Sequence, residues 1–430
     1  MPLFSTTKFW RQLANAFLLG LMFLQKARSE EAAATKQHSI ELPPMPAAKD
    51  VVPTPLLESE NYKIAEDVSI SNYYYRFHVE STSYGTYDVD SLDLLQVRLF
   101  EIGVLSKANA VNGGADFTKG AKSDLSDTAK AAAKSVVTPV KSAKALGAVI
   151  EDSGRAAYDF VRLKNRNQPK DSLLTGEEKR KDAHNLGLDV YSTNPAVQAY
   201  LDQLAKSRAT GSRLVDVGVS VGTFVMPFGT PVSAAIAAGK YREKLADKLD
   251  TMSPMELYRY NDKILKKMDV QSHDRENFLE YADLTPKQKT EIVADLKTLD
   301  NMPDKTPFLH ACVEQHPAEG IWQIQCADIL AKYNKTVDTI QWTSSAGMAL
   351  NAISTNGKQL MIFPADIVCW TEELQKTIEK SNSITGVTQR EFVTPAHLTE
   401  RAKKEIETHG FAVRESFLIE VQPDGVKATK

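Results

Sequence analysis

The chain has 430 residues, of which 42% are hydrophobic and 25% are charged, proportions that are ordinary for a soluble globular protein. Its length is sufficient for two or three domains. The formal net charge of −3 at pH 7 gives no whole-chain attraction for nucleic acid, so we expect no nucleic-acid partner. Three cysteines are too few for a disulfide-stapled scaffold, so the fold must depend on its apolar core.

The first 29 residues have the three parts of a secretory signal peptide. Lys8 and Arg11 precede an apolar core, Leu13 to Leu24, and Ala27-Arg28-Ser29 follows it as a small-x-small cleavage pattern. A helix over this core is roughly 18 Å long, too short for a hydrocarbon layer of about 30 Å. We therefore predict that residues 1–29 are a signal peptide. The protein is expected to be exported to the periplasm, to the outer membrane or to the extracellular space.

Two N-terminal segments follow the signal peptide. Residues 30–55 contain five prolines and no apolar periodicity, so we predict an extended and poorly ordered linker. Residues 56–114 are predicted to form a unit of one β-hairpin and one helix. Aromatic and β-branched residues between Tyr73 and Val89 surround a turn at Ser83-Tyr84-Gly85. Asp90 is then expected to cap a helix whose apolar residues recur at three- and four-residue steps.

Two apolar segments are candidates for contact with a membrane. Residues 115–180, and 125–161 in particular, form a helical stripe of small apolar residues beside a fringe of lysines, interrupted by Pro139. Such a stripe lies on an anionic membrane surface or packs as an amphipathic helix on the body of the protein. The apolar segment 214–238 is divided by two prolines and a glycine into pieces too short to span a bilayer. It is predicted to be a buried helical hairpin, with membrane insertion as the alternative.

Residues 181–335 are predicted to form a helical bundle that includes the hairpin 214–238. Asn194-Pro195 opens one helix, and Ser253-Pro254 and Thr285-Pro286 open two more with a capping-box residue three positions after each cap. Residues Glu319 to Tyr333 add a further helix with a regular apolar face. Short helices in succession indicate a bundle of local contacts.

Residues 336–421 are predicted to form a small α/β domain, and residues 422–430 form a tail. Asn356-Gly357 between two apolar runs is the strongest hairpin signal in the chain. A helix, a strand, a second helix capped by Thr394-Pro395 and a last strand from Phe411 complete a β-β-α-β-α-β order. The predicted fold class is therefore α+β and mainly helical, with an N-terminal hairpin and helix, a central bundle and a C-terminal sheet.

Three runs in the C-terminal part carry a resemblance. They are Phe363 to Glu372 (FPADIVCWTE), Thr394 to Ala402 (TPAHLTERA) and Gly410 to Val413 (GFAV). The runs look like the end of an uncharacterised family of exported bacterial proteins, and the order of hairpin, small-residue stretch and helical middle is similar over most of the chain. The resemblance implies export from a bacterium. It transfers no activity and no site residue.

One cluster combines the residue types of a zinc site and of a disulfide. His310, Cys312, His316 and Cys326 are potential zinc ligands, but their spacing fits no standard zinc template, so we predict no metal. In an oxidising compartment a Cys312–Cys326 disulfide closes a short loop and contributes on the order of 3 kcal/mol. Three buried free thiols are the equally weighted alternative.

No motif identifies a catalytic residue or a cofactor. Cys369 and His397 have the residue types of a nucleophilic pair, but Cys369 lies in an apolar strand end where an inert buried thiol is commoner. The sequence contains no Gly-x-Ser-x-Gly, no Ser-x-x-Lys and no glycine-rich phosphate loop. We therefore predict no cofactor and favour a protein that is not an enzyme.

The function predicted from the sequence is that of an exported cell-envelope protein with a structural or protein-interaction role. It is expected to bind a protein partner of the envelope through its helical middle or the edge of its C-terminal sheet. The alternative is a membrane-active or membrane-associated protein that uses residues 125–161 and 214–238. A hydrolase of an unrecognised type is the third possibility.

Overall fold

The computed structural model describes residues 40–82, 84–111, 176–210, 249, 252–314 and 318–418, and the chain over these residues is an α+β protein. The predicted signal peptide, the apolar hairpin 214–238 and the tail 422–430 lie outside the described residues. The amphipathic segment 115–180 does as well, except for its last five residues.

Residues 40–55, which composition assigns to an extended linker, are folded onto the body of the protein. Helix α1 (Ala48–Val51) is followed by a 3₁₀ turn (Thr54–Leu56). Ala48, Val52 and Leu56 are buried in one apolar cluster with strands of the N-terminal sheet. The linker prediction is therefore wrong over these residues, because the apolar side chains among the prolines have an apolar surface to cover.

A small antiparallel sheet follows, and it contains the predicted hairpin. Its strands are β1 (Tyr62–Ile64), β2 (Ser69–Ser71), β3 (Tyr74–Ser81) and β4 (Gly85–Asp90). β3 pairs with β4 over its length, from Arg76 opposite Asp90 to Ser81 opposite Gly85. β1 and β2 follow one another along the other edge of β3.

Helix α2 (Leu92–Val111) packs its apolar side chains against this sheet. Leu95, Leu99 and Ile102 are buried, as the three- and four-residue steps predict. The cap differs from the prediction: Ser91 Oγ accepts a hydrogen bond from Leu94 N at 3.1 Å. Asp90 instead accepts two hydrogen bonds from the Arg76 guanidinium opposite it, because it is still the last residue of β4.

The middle of the chain is helical. Its described helices are α3 (Gly176–Leu186), α4 (Pro195–Thr210), α5 (Pro254–Lys267), α6 (Ser272–Glu280), α7 (Pro286–Leu296), α8 (Thr306–Cys312) and α9 (Ile321–Thr336). Both predicted capping boxes are confirmed. Ser253 exchanges hydrogen bonds with Glu256, and Thr285 does so with Gln288.

The turn before α9 requires left-handed backbone at three successive residues. Ala318, Glu319 and Gly320 have φ values of 62°, 48° and 86°. The Gln288 side chain fills the inside of this turn and donates from Nε2 to Glu319 O at 2.7 Å. A Cβ at Gly320 would lie 2.8 Å from that Gln288 amide nitrogen, so both the backbone and the space favour glycine here.

An ion pair and one lysine ammonium group are buried among the helices. Arg98 on α2 donates to Glu101 Oε2 at 2.9 Å, and Ser192 and Asn194 also donate to the Glu101 carboxylate. Both charges of this ion pair are almost fully buried. Lys289 on α7 is buried too, and its ammonium donates to Leu279 O at 2.8 Å near the end of α6. Burial lowers the pKa of Lys289 to about 7.

The C-terminal sheet has five strands, in the order β11-β9-β7-β6-β5. Its elements are β5 (Ile340–Ala346), β6 (Ala349–Ser354), β7 (Lys358–Ile362), β9 (Gln389–Val393) and β11 (Ala412–Arg414). β5, β6 and β7 are antiparallel neighbours, and β7, β9 and β11 are parallel neighbours. A separate parallel pair joins β8 (Ile367–Val368) to β10 (His397–Leu398). Helices α10 (Glu372–Asn382) and α11 (Glu400–Thr408) complete the domain.

Two details of this domain differ from the sequence prediction. β5 precedes the predicted hairpin and was not predicted, because its mostly polar sequence, Gln-Trp-Thr-Ser-Ser, lacks an apolar pattern. α11 is capped by Thr399, whose side chain accepts from Ala402 N, and not by Thr394. Thr394 Oγ1 accepts from Ala396 N instead, and β10 lies between the two threonines.

Helices cover both faces of the C-terminal sheet. On one face Leu350, Leu360 and Val393 share an apolar cluster with Trp322 and Leu330 of α9. The other face contributes Met361 and Phe392 to a second cluster, together with side chains of α10 and α11. A sheet covered on both faces has apolar side chains on both, which explains its nearly continuous apolar runs. The first cluster also spans the domain boundary predicted at residue 335.

Candidate functional site

The N-terminal strap, residues 41–46, runs from the C-terminal domain to the N-terminal sheet. Its first residue forms three hydrogen bonds: Glu41 N donates to Trp370 O at 2.7 Å, and Glu41 Oε2 accepts from Trp370 N at 2.8 Å and from Thr399 Oγ1 at 2.7 Å. Thr399 is also the cap of α11, so one hydroxyl joins the strap to the start of that helix. The strap therefore begins at a fixed point on the domain.

The other end of the strap is fixed on the N-terminal sheet. Val68 N donates to Pro46 O at 3.2 Å, and Ala48 N donates to Glu66 O at 2.7 Å. Between the two anchors the side chains of Leu42 and Met45 are 88% and 77% exposed. Most surface leucines and methionines bury far more of their area, so two such side chains on one anchored segment indicate a contact surface.

A pair of carboxyl groups lies where the N-terminal sheet, α2 and the C-terminal domain meet. Asp366 Oδ2 accepts hydrogen bonds from Tyr75 N and Leu92 N, both at 3.0 Å. Asp366 N and Ile367 N in turn donate to Tyr73 O. Burial, with a smaller contribution from the nearby Asp93, raises the pKa of Asp366 to about 8, against the opposing effect of the two backbone donors. Asp366 therefore retains its proton near neutral pH.

The second carboxyl group connects this junction to α9. Asp93 Oδ2 accepts from Gln325 Nε2 at 3.0 Å, and the Tyr74 hydroxyl donates to Gln325 Oε1 at 3.5 Å. Burial raises the pKa of Asp93 also, and the Gln325 hydrogen bond opposes that rise. Both carboxyl groups are poorly solvated, and the negative charge of Asp93 adds to the cost of ionising Asp366.

Backbone strain surrounds the same junction. Asn72, Tyr73 and Ser91 have positive φ values of 50°, 68° and 94°, although none of them is glycine. Such conformations cost roughly 1–3 kcal/mol each and persist only where neighbouring contacts impose them. Here Tyr73 also hydrogen-bonds through its hydroxyl to Thr371, and Ser91 caps α2. The junction thus holds three parts of the chain in one arrangement, with its carboxyl groups as acceptors.

The weak metal candidates and the disulfide candidates contribute no hydrogen bond to the strap or to the carboxyl pair where the structure describes them. Cys312 and Cys326 are free, fully buried and members of the same apolar cluster. Burial is the main cause that raises the pKa of each thiol, and Cys312 adds to the rise at Cys326. The disulfide is not formed in the structure and stays a prediction. His310 Nε2 is hydrogen-bonded to Asp274 Oδ1 at 2.8 Å, and His316 lies outside the described residues.

Within the described residues no group of three or more His, Cys, Asp or Glu residues is arranged to hold a metal ion. The candidate nucleophile Cys369 is buried, and burial followed by the neighbouring Glu41 raises its pKa to about 11. A thiol that holds its proton this firmly is a poor nucleophile. His397 is exposed and lies 3.3 Å from Ser416 Oγ through Nδ1, and its place in β10 is opposite Ile367.

No family model, curated protein or solved structure matches the chain. Among the helices of the described residues, none has the length and apolarity that crossing a membrane requires. Sequence interpretation missed the strap and the carboxyl pair. Leucine and methionine at a spacing of three among prolines was the available signal for the strap. The carboxyl pair gives no such signal, because Leu92 and Asp366 are 274 positions apart.

Proposed function

We propose that this chain is an exported cell-envelope protein that binds a protein partner through the N-terminal strap. The observation that carries the proposal is the exposure of Leu42 and Met45 on a segment fixed at both ends by hydrogen bonds. Ordering each backbone residue costs about 1–2 kcal/mol, so an apolar segment held rigidly in water is costly unless it is used. The buried cores of protein interfaces are more apolar than the rest of a protein surface, and methionine is enriched in them.

Export is supported by the signal-peptide features of residues 1–29 and by the resemblance of the C-terminal runs to exported bacterial proteins. An envelope location agrees with a fold whose described cysteines are buried, since buried thiols are slow to oxidise. The strap follows the predicted cleavage site closely, so the partner surface lies near the mature N-terminus.

Cell fractionation with affinity capture tests both parts of the proposal. The full-length chain carries a C-terminal tag, and we expect it in the envelope fraction without its first 29 residues. We expect one protein to be captured with it and to be lost with the double variant Leu42→Ser/Met45→Ser. Val337→Ser is the matched control, because Val337 is another exposed apolar residue but lies at the end of α9.

Two results contradict the proposal. Full-length chain in the cytoplasm, with the N-terminus intact, contradicts export. A captured protein that persists with Leu42→Ser/Met45→Ser contradicts the role of the strap. Flotation of the mature chain with neutral or anionic vesicles tests the membrane alternative, which requires binding that anionic lipid strengthens.

A further inference from the structure

Leu42 and Met45, three positions apart on the strap, are 88% and 77% exposed, and Pro43 is exposed as well. Glu41 and Pro44, which are also three positions apart, are half-buried against the body. In a polyproline II helix, which has three residues per turn, residues three positions apart lie on the same face. The strap therefore presents one face to the protein and a second face, that of Leu42 and Met45, to solvent.

The covalent structure of the strap enforces this conformation. Pro43, Pro44 and Pro46 each fix φ near −65°, and a residue that precedes proline is restricted to extended backbone. Leu42, Pro43 and Met45 are in that position. Ala47 has φ −75° and ψ 147°, which are polyproline II values, and residues 41–46 belong to no helix or strand.

The geometry sets a distance between the two exposed side chains. Polyproline II rises about 3.1 Å per residue, so the Leu42 and Met45 Cα atoms lie about 9 Å apart along one face. Both ends of the strap are anchored, so binding orders few additional residues. A segment that is already in its bound conformation loses less entropy on association, which increases affinity.

Charge at the C-terminal end of the strap is mainly negative. Asp50, Glu66 and Asp67 are exposed there, against one exposed ammonium group on Lys49. The backbone connects them to the strap, because Ala47 forms a β-bridge with Asp67 and Ala48 N donates to Glu66 O. A complementary partner surface carries basic side chains at this end.

We propose that the strap is a polyproline II ligand for a partner protein whose groove is lined with aromatic side chains. Leu42 and Met45 enter two apolar pockets about 9 Å apart, and basic side chains border the groove where it meets Asp50, Glu66 and Asp67. The inference rests on the proposed function and adds the chemistry of the partner. Aromatic grooves select preformed polyproline II segments because such segments cost little entropy to bind.

Photo-crosslinking in cells tests the inference on the full-length chain. A benzophenone amino acid replaces Lys49, which is exposed beside the strap and leaves the prolines and apolar side chains unchanged. The main variant is Pro43→Gly/Pro46→Gly, which keeps Leu42 and Met45 but releases the backbone. Pro55→Gly is the control, because Pro55 is exposed in the 3₁₀ turn outside the strap. Thermal unfolding of each variant shows that the body remains folded.

We expect a crosslink to one protein that falls about thirtyfold with Pro43→Gly/Pro46→Gly, since freeing two residues costs about 2 kcal/mol. The crosslink should be lost with Leu42→Ser/Met45→Ser and kept with Pro55→Gly. Mass spectrometry should place it in a partner segment with aromatic and basic residues. A crosslink yield that is unchanged by Pro43→Gly/Pro46→Gly overturns the inference but does not contradict the proposed function. Crosslinks to lipid alone, or none, overturn both.

Discussion

Replacing Asp366 by asparagine should stabilise the protein, and the gain should appear only as the pH rises. Asp366 accepts both backbone hydrogen bonds through the same oxygen, Oδ2, so an asparagine whose Oδ1 takes that place keeps both acceptor contacts. Its side-chain amide carries no charge at any of these pH values, so it is not repelled by the Asp93 carboxylate. The substitution therefore removes the charge and preserves the geometry.

The size and sign of the effect follow from linkage. The pKa of Asp366 rises from 3.8 to about 8 on folding, so the native state binds more protons than the unfolded state between these values. This contribution to stability is fully present below pH 3.8 and is lost as the pH rises to about 8. At about 1.4 kcal/mol for each pKa unit, the upper bound is roughly 6 kcal/mol. Because Asp366 is partly in contact with solvent, we expect about 2 kcal/mol.

Urea denaturation of the full chain at pH 4, 6 and 8 measures this difference. Asp366→Asn should match the wild type at pH 4 and exceed its free energy of unfolding by about 2 kcal/mol at pH 8. Asp300→Asn is the control for a removed carboxylate, because Asp300 is exposed, and it should shift neither value by more than about 0.5 kcal/mol. If Asp366→Asn destabilises the protein equally at pH 4 and pH 8, Asp366 is an ordinary ionised acceptor and the linkage reasoning is wrong.

Three further predictions concern buried charges and backbone strain, and urea denaturation measures each. Arg98→Met should lower the free energy of unfolding by about 3–5 kcal/mol, because it leaves the buried Glu101 carboxylate without its cation. Arg76→Met, at an exposed ion pair, should lower it by under about 1 kcal/mol. Equal losses for the two variants would contradict this prediction. The pKa of Lys289 falls to about 7, so its burial penalty is present below pH 7 and fades as the pH rises toward 10.5. Lys289→Met should therefore raise the free energy of unfolding by about 2 kcal/mol at pH 6 and by almost nothing at pH 10. An increase that is the same at both pH values would refute this prediction. Gly320→Ala should cost more than Gly347→Ala by about 1 kcal/mol, since both have positive φ but only Gly320 meets a neighbouring side chain, and equal costs would remove the steric part.

Local patterns predicted the elements whose signals are short in range. The capping boxes at Ser253 and Thr285 need only four residues each, and the hairpin of β3 and β4 needs only its own turn. The composition of residues 40–55 led to a wrong linker prediction, because their few apolar side chains are positioned to pack against the N-terminal sheet. β5 was not predicted, because an edge strand with polar side chains has no period-two apolar alternation.

The candidate sites depend on contacts that no local pattern contains. Glu41 meets Trp370 from 329 positions away, and Asp366 meets Leu92 from 274 positions away. A carboxylate in a linker and an aspartate before a short strand both look like ordinary surface residues in a sequence. Only the packing of the N-terminal sheet against the C-terminal domain gives them hydrogen-bond donors and partly shields Asp366 from solvent.

One short segment, 366–371, serves both the strap and the carboxyl junction. Asp366 binds the start of α2, Thr371 binds the Tyr73 hydroxyl, and Trp370 between them holds Glu41. Because the strap is fixed to this segment, its exposed face exists only when the N-terminal sheet and the C-terminal domain are docked. A peptide of residues 41–46 keeps its polyproline preference but loses both anchors, so it should bind the partner more weakly than the folded chain. The surface that we assign to the partner is thus a product of the tertiary fold, because it depends on contacts between residues 329 positions apart in the chain.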